Sequence, residues 1–125
     1  MIQEHRELLL KDLSARLSYH VRLKVWLKDG TAEEGVLDLK HNYGDVLRDA
    51  FYYKEIIDIK PYLFPLSSMT EEQSNVYHEL IKVMFGTSAL INFEVLTDFL
   101  NSNHLDYRGL SEKSLALDAT NLNIY

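Results

Sequence analysis

His104, Asp106, Tyr107 and Arg108, closed by Gly109, form the densest group of chemically capable side chains in the sequence. An arginine presents a planar fork that grips a carboxylate or phosphate. A histidine carries protons near neutral pH. His104 and Arg108 are therefore candidate binding residues. The competing account is purely structural: His104 ends a helix near its negative pole, and Arg108 pairs with Asp106 or caps carbonyls. Tyr107 then packs on the core, and Gly109 supplies a turn with positive φ. The structural account is preferred, because no nucleophile stands beside the group.

Other chemical signatures are weaker. His78-Glu79 begins half of a zinc-protease helix motif, but Lys82 stands where the second histidine is needed. The sequence holds no cysteine, so disulfides, thiolate zinc sites and a thiol nucleophile are excluded. It also lacks a Gly-rich phosphate loop, a Ser-centred elbow and a carboxylate cluster. Neither an enzyme, a metal site nor a cofactor is expected. Two aromatic sets suggest binding instead. Tyr62 and Phe64 flank a proline-punctuated arm and are the candidate protein contacts. Arg22, Lys24, Trp26 and Lys28 form a basic run around an aromatic ring that stacks a base or a peptide side chain, provided that no helix covers Trp26.

The elements that position these residues change character at Lys60–Gln73. Before it, apolar residues alternate with polar ones; after it, they recur at helical spacing. A first helix is expected from Gln3 to Leu17, with Leu10, Leu13 and Leu17 on one stripe and Leu9 beside them. Arg6, Glu7, Lys11, Asp12 and Arg16 then occupy the wetter side. Val21, Leu23, Val25 and Leu27 alternate with Arg22, Lys24, Trp26 and Lys28, the pattern of a half-buried strand. Asp29-Gly30 reads as a two-residue turn, with a return strand from Thr31 to Lys40. Strict pairing across that turn sends Leu37 and Leu39 outward, so one extra residue, a bulge or bend close to Gly35, is predicted. A turn at His41–Gly44, a strand from Asp45 to Tyr53 and another from Glu55 to Leu63 follow, with Ile57 and Ile59 on one face. Pro61 suits a strand end or sheet edge. Thr70-Glu71-Glu72-Gln73 is a capping box. The helix it opens buries Tyr77, Leu80, Ile81 and Met84 and stops near Gly86. A last helix, Asn92–Ser102, buries Phe93, Leu96, Phe99 and Leu100, and a short strand is expected within Ser114–Asp118.

The net charge of -6 is uneven. Residues 1–66 carry ten Lys/Arg against eleven Asp/Glu; residues 67–125 carry three against eight. The acidic second part repels phosphate backbones, so nucleic acid is a disfavoured partner and a protein partner or self-association is favoured. No apolar run reaches the ~18 residues of a membrane span. A bacterial cytoplasmic protein without membrane contact is expected.

Two resemblances add to this reading. The helix followed by VRLKVWLKDGTAEEGVLDLK resembles the front of Sm-like or other SH3-like small barrels, with Lys28-Asp29-Gly30 at the turn and Gly35 at the sharp bend of the second strand. It covers about residues 4–60. The family's closing Arg-Gly or Lys-Gly turn is not found. The second resemblance is to uncharacterised proteins of phages, prophages and mobile elements of gut Bacteroidetes. It rests on KPYLFPLSSMTEEQ (Lys60–Gln73) and FLNSNHLDYRGLSEKSLALDA (Phe99–Ala119), and departs at Ser111 and Ser114, where an apolar residue and glycine are usual. It implies an accessory protein of a mobile element and no chemistry. The expected architecture is α+β: residues 1–66 as a helix plus a small bent antiparallel sheet or SH3-like barrel, and residues 67–125 as a helical part packed on it, in one compact domain. The expected function is a non-catalytic protein-interaction or accessory protein. An Sm-like nucleic-acid-binding module is the alternative, and an enzyme built on His104 and Arg108 comes third.

Overall fold

The computed structural model describes residues 2–37, 56–84 and 89–125. The fold is α+β. Helix α1 (Gln3–Ala15) runs through a short 3-10 turn (Leu17–Tyr19) into strand β1 (Arg22–Leu27). Strands β2 (Ala32–Val36) and β3 (Ile56–Pro65) precede helices α2 (Glu71–Met84) and α3 (Ala89–Ser102), and two short strands follow, β4 (Leu105–Asp106) and β5 (Leu117–Asp118). The sheet is mixed: β1 is antiparallel to β2 and β3, whereas β4 and β5 run parallel to β3. Among the described residues it is open, so the closed barrel expected from the first half is not found there. The expected turn at His41–Gly44, strand at 45–53, inward-facing Leu39 and helix stop at Gly86 lie outside the described residues.

The β1–β2 ladder has no bulge close to Gly35, contrary to expectation; the need for Leu37 to face inward is met in the turn. Leu23 faces Gly35 and Val25 faces Glu33, one position off strict two-residue pairing. The offset is absorbed in the turn. Leu27 N–H donates to Thr31 O (2.9 Å) and Gly30 N–H to Leu27 O (3.1 Å), so the loop is Lys28-Asp29-Gly30, with Gly30 at φ +87°. A three-residue loop ending in a left-handed glycine matches strand twist without a bulge further on. The ladder then runs regularly past Gly35, and Leu37 N–H donates to Val21 O at 2.8 Å. Leu37 is buried beside Val21 and Leu23, as the register argument required.

The β1–β3 ladder does carry a bulge. Trp26 faces Asp58, but Leu27 faces Ile56, leaving Ile57 as the extra residue. Ile57 is 63% exposed while Ile59 is buried, which corrects their expected placement on one face. Pro61 is not at a strand end; it is buried in the middle of β3, opposite Leu23. Hydrogen-bonding direction explains how. Odd residues of β1 bond to β2, so even ones face β3, and the even residues of β3 face back. Pro61 is odd, so its missing N–H subtracts nothing from the β1 ladder.

Two apolar clusters form the interior. The first joins Leu9 and Leu13 of α1 to Val21, Leu23, Val25, Leu37, Ile59 and Leu63 of the sheet, and to Leu110, Leu115 and Ala116 near its far end. Each fully buried leucine here contributes about 1.5–3 kcal/mol. The second joins Leu96, Leu100 and Leu105 with Phe64, Tyr77, Leu80 and Ile81 packed against them. The capping box of α2 is formed: Gln73 N–H donates to Thr70 Oγ1 (3.1 Å) and Thr70 N–H to Gln73 Oε1 (3.0 Å). Two expected core residues are not in the core. Leu10 is 42% exposed and Phe93 is 59% exposed.

Candidate functional site

The largest correction lies on α1. Asp12 and Arg16, expected on the wet side, are fully buried. Positions 9, 12, 13 and 16 follow i, i+3, i+4, i+7 and share one helix face. Once Leu9 and Leu13 pack on the sheet, Asp12 and Arg16 are carried inward with them. They remain inside because they find partners. Arg16 Nε and Nη2 grip the two Asp12 oxygens at 2.8 and 3.1 Å, and Nη2 also donates to Leu105 O at 2.7 Å.

Arg108 completes the group from the far end of the sequence. Its Nη1 donates to Asp12 Oδ1 and to the Tyr107 hydroxyl, both at 2.9 Å. The Tyr107 hydroxyl in turn donates to Asn101 Oδ1 at 2.8 Å. The Tyr107 ring has a guanidinium near it from each arginine, 5.1 Å to Arg16 and 4.6 Å to Arg108, close enough for cation–π attraction. Arg108 therefore pairs with Asp12, not with Asp106. The Asp106 carboxylate instead accepts from the backbone N–H groups of Leu110 and Ser111, at 2.8 and 2.9 Å. This folds the turn around Gly109, whose φ is +70°. The sequence signal for Asp12 and Arg16 was their spacing from Leu9 and Leu13.

His104 stands apart from the arginine fork. It sits at the end of α3 with φ +55°, and its carbonyl accepts from Phe64 N–H at 2.8 Å. Its ring stacks on Tyr125, with centroids 3.7 Å apart and planes 15° from parallel. Burial, then the charges of Arg16 and His20, push its pKa down to about 4. His104 is consequently neutral at pH 7 and its Nδ1 is buried without a hydrogen-bond partner among the described residues.

Tyr125 repairs a seam in the sheet. Its hydroxyl accepts from Arg22 N–H at 2.7 Å and donates to Tyr62 O at 2.6 Å. Both are backbone groups that would otherwise pair β1 with β3. Phe64 N–H, two residues on, faces the same edge and bonds to His104 O. Leu63 faces the opposite edge and accepts from Ala119 N–H at 2.9 Å. Along one edge of β3 the order is thus β1, the Tyr125 phenol, then β4. Burial pushes the Tyr125 hydroxyl up to about 12, against the lowering effects of Arg22 and Arg16.

The remaining candidates occupy the outer sheet face. Arg22 is exposed, and Lys24, Trp26 and Tyr62 are half-buried, so the described helices leave Trp26 partly accessible. Lys24 Nζ lies 5.4 Å and Lys60 Nζ 5.7 Å from the Trp26 ring centroid. Lys28 is in the turn and exposed. The Tyr62 hydroxyl donates to Glu34 Oε1, and burial followed by this bond pushes its pKa up to about 12. A groove of about 260 Å³ beside it is lined by Arg22, Glu34, Tyr62, Leu122 and Ile124 among others. Phe64 belongs elsewhere: it packs on the second cluster, 5.7 Å from the Tyr125 ring. Among the described residues no helix is long and apolar enough to cross a membrane, and no group of three His, Asp or Glu residues is placed to hold a metal ion.

The chain matches no family model, no curated protein and no solved structure.

Proposed function

We propose that this chain is a non-catalytic protein-interaction module, an accessory protein of phage or mobile-element origin, as the resemblance of its two motifs implies. One observation carries the non-catalytic part. Arg108 of the HLDYRG motif is bonded to Asp12, which also holds Arg16, and the group is tied further to Tyr107 and to a backbone carbonyl; of its buried side-chain atoms only Arg16 Nη1 lacks a hydrogen-bond partner among the described residues. Groups held this way act as a clamp between α1 and the β4 region. The outer sheet face, with Trp26 and Tyr62, is the surface offered to a protein partner.

A second reading takes the same face as a nucleic-acid platform. It is favoured by Trp26, half-exposed with Lys24 and Lys60 beside its ring, since a base stacks on such a ring while lysines meet phosphates. Asp58 and Glu34 on the same face, and the net charge of -6, oppose it.

The experiment is capture with tagged wild-type, Trp26→Ala and Tyr62→Ala chains in the native host, at low and moderate salt. The expected result is a protein held at moderate salt by the wild type and lost from both variants. Nucleic acid lost between the two salts would favour the second reading. Equal retention by all three chains would remove both.

A further inference from the structure

We infer that the cleft between the start of β1 and β4 is a tyrosine-recognition slot, filled in cis by Tyr125, and that the same segment of a second copy of this chain can fill it in trans. The slot holds one ring face and the hydroxyl of Tyr125, while 42% of the residue stays exposed. His104 supplies a flat stacking surface at 3.7 Å, and Phe64 borders the ring at 5.7 Å. Arg22 N–H and Tyr62 C=O, a donor and an acceptor fixed by neighbouring strands, take the two hydrogen-bonding functions of the hydroxyl. A phenylalanine leaves both backbone groups unmatched.

The segment that delivers Tyr125 is held at its ends. Ala119 N–H is bonded to Leu63 O, and the Tyr125 hydroxyl is bonded as described. Between them Asn121, Leu122 and Asn123 are exposed, and Asn121 and Asn123 stand at φ +66° and +53°. Positive φ is an uncommon conformation for any residue but glycine, though asparagine tolerates it best. An exposed connector between an anchor and a side-chain key is a hinge of the kind that permits exchange between identical chains. A slot that fits this segment necessarily fits its copy, and the balance is set by concentration. A short tether supplies an effective concentration on the order of millimolar, so the cis form dominates in dilute solution. The inference rests on the Tyr125 contacts alone and stands whether or not the Trp26 face binds a partner.

The test uses full-length Tyr125→Ala, in which the slot has lost its key, and the synthetic peptide ATNLNIY. The readout is the His104 ring resonances in NMR. The expected result is a saturable shift with ATNLNIY, a roughly tenfold weaker one with ATNLNIF from loss of the hydroxyl bonds, and none with ATNLNIA. Immobilised wild-type chain should also retain Tyr125→Ala more strongly than it retains wild type. If Tyr125→Ala does not fold, Tyr125→Phe, which keeps the ring, takes its place with the same peptides. A folded variant that shows no shift at millimolar ATNLNIY overturns the inference. So does unfolding of both variants, because Tyr125 would then be a core residue and not a removable key.

Discussion

The guanidinium of Arg108 donates to the carboxylate of Asp12 at 2.9 Å, across 96 positions of sequence. Asp12 simultaneously holds Arg16, so one carboxylate ties the first helix to the segment after the last one. The Asp12 and Arg16 side chains are fully shielded, and that of Arg108 is 18% exposed.

Removing the shared carboxylate should be severe. Asp12→Ala leaves a fully buried guanidinium without its counter-charge, the situation that costs about 3–5 kcal/mol. Urea unfolding of Asp12→Ala should show a loss in that range. Arg108→Ala should cost less, because that arginine is partly hydrated and Arg16 still satisfies Asp12. Equal losses for the two variants would mean that Asp12 is not the centre of the group.

Acid should weaken the fold through His104. Its folded pKa, about 4, lies below the ordinary 6.5. The unfolded chain therefore binds more protons between these values, and stability falls as pH is lowered. The contribution is complete above about pH 6.5 and is lost progressively toward pH 4. His104→Asn tolerates the positive φ and does not titrate, so its unfolding free energy should vary less with pH over that window. Parallel pH profiles for wild type and variant would refute this.

The hydroxyl of Tyr125 should protect a specific amide. In Tyr125→Phe the Arg22 N–H loses its acceptor and should exchange with deuterium faster, while Leu37 N–H, bonded to Val21 O, should be unchanged. The stability loss should be about 1 kcal/mol, because the site is near solvent and water replaces the lost bonds in part.

Local geometry gives a fourth expectation. Thr70→Ala removes one half of the capping box and should cost about 1 kcal/mol in unfolding free energy. Gly109→Ala meets only Lys113 Nζ at 3.9 Å, so its cost is conformational, about 1–2 kcal/mol for a left-handed alanine. A larger loss in chemical denaturation would point to packing that the backbone does not show.

The sequence was most legible where a local rule decides the outcome. The Thr70–Gln73 box and the β1 alternation follow from short-range chemistry, and each is present. The bulge expected close to Gly35 is not: the three-residue turn brings Leu37 inward instead. Legibility failed where long-range contacts decide. Asp12 and Arg16 look wet because they are charged; they are buried because Leu105 O and Arg108, about 90 positions away, complete them. Phe93 looks buried because it is apolar and in step with Leu96, yet it is exposed. Tyr125 carries no local signal at all. Its role exists only because β1 ends where β3 continues. The candidate site was half legible: the HLDYRG motif marks the place where the Asp12–Arg16–Arg108 cluster forms, but its arginine serves a partner on α1 that no motif names.

The turn at Lys28-Asp29-Gly30 is where this chain can vary in length. A residue added or removed between Leu27 and Thr31 changes the turn type but can leave these two strand ends paired and Leu37 facing inward. Within β2 the same change would rotate Leu37 from the interior to the solvent, because side chains in a strand alternate between faces. Related sequences should therefore differ in length at the hairpin tip and not between Ala32 and Val36.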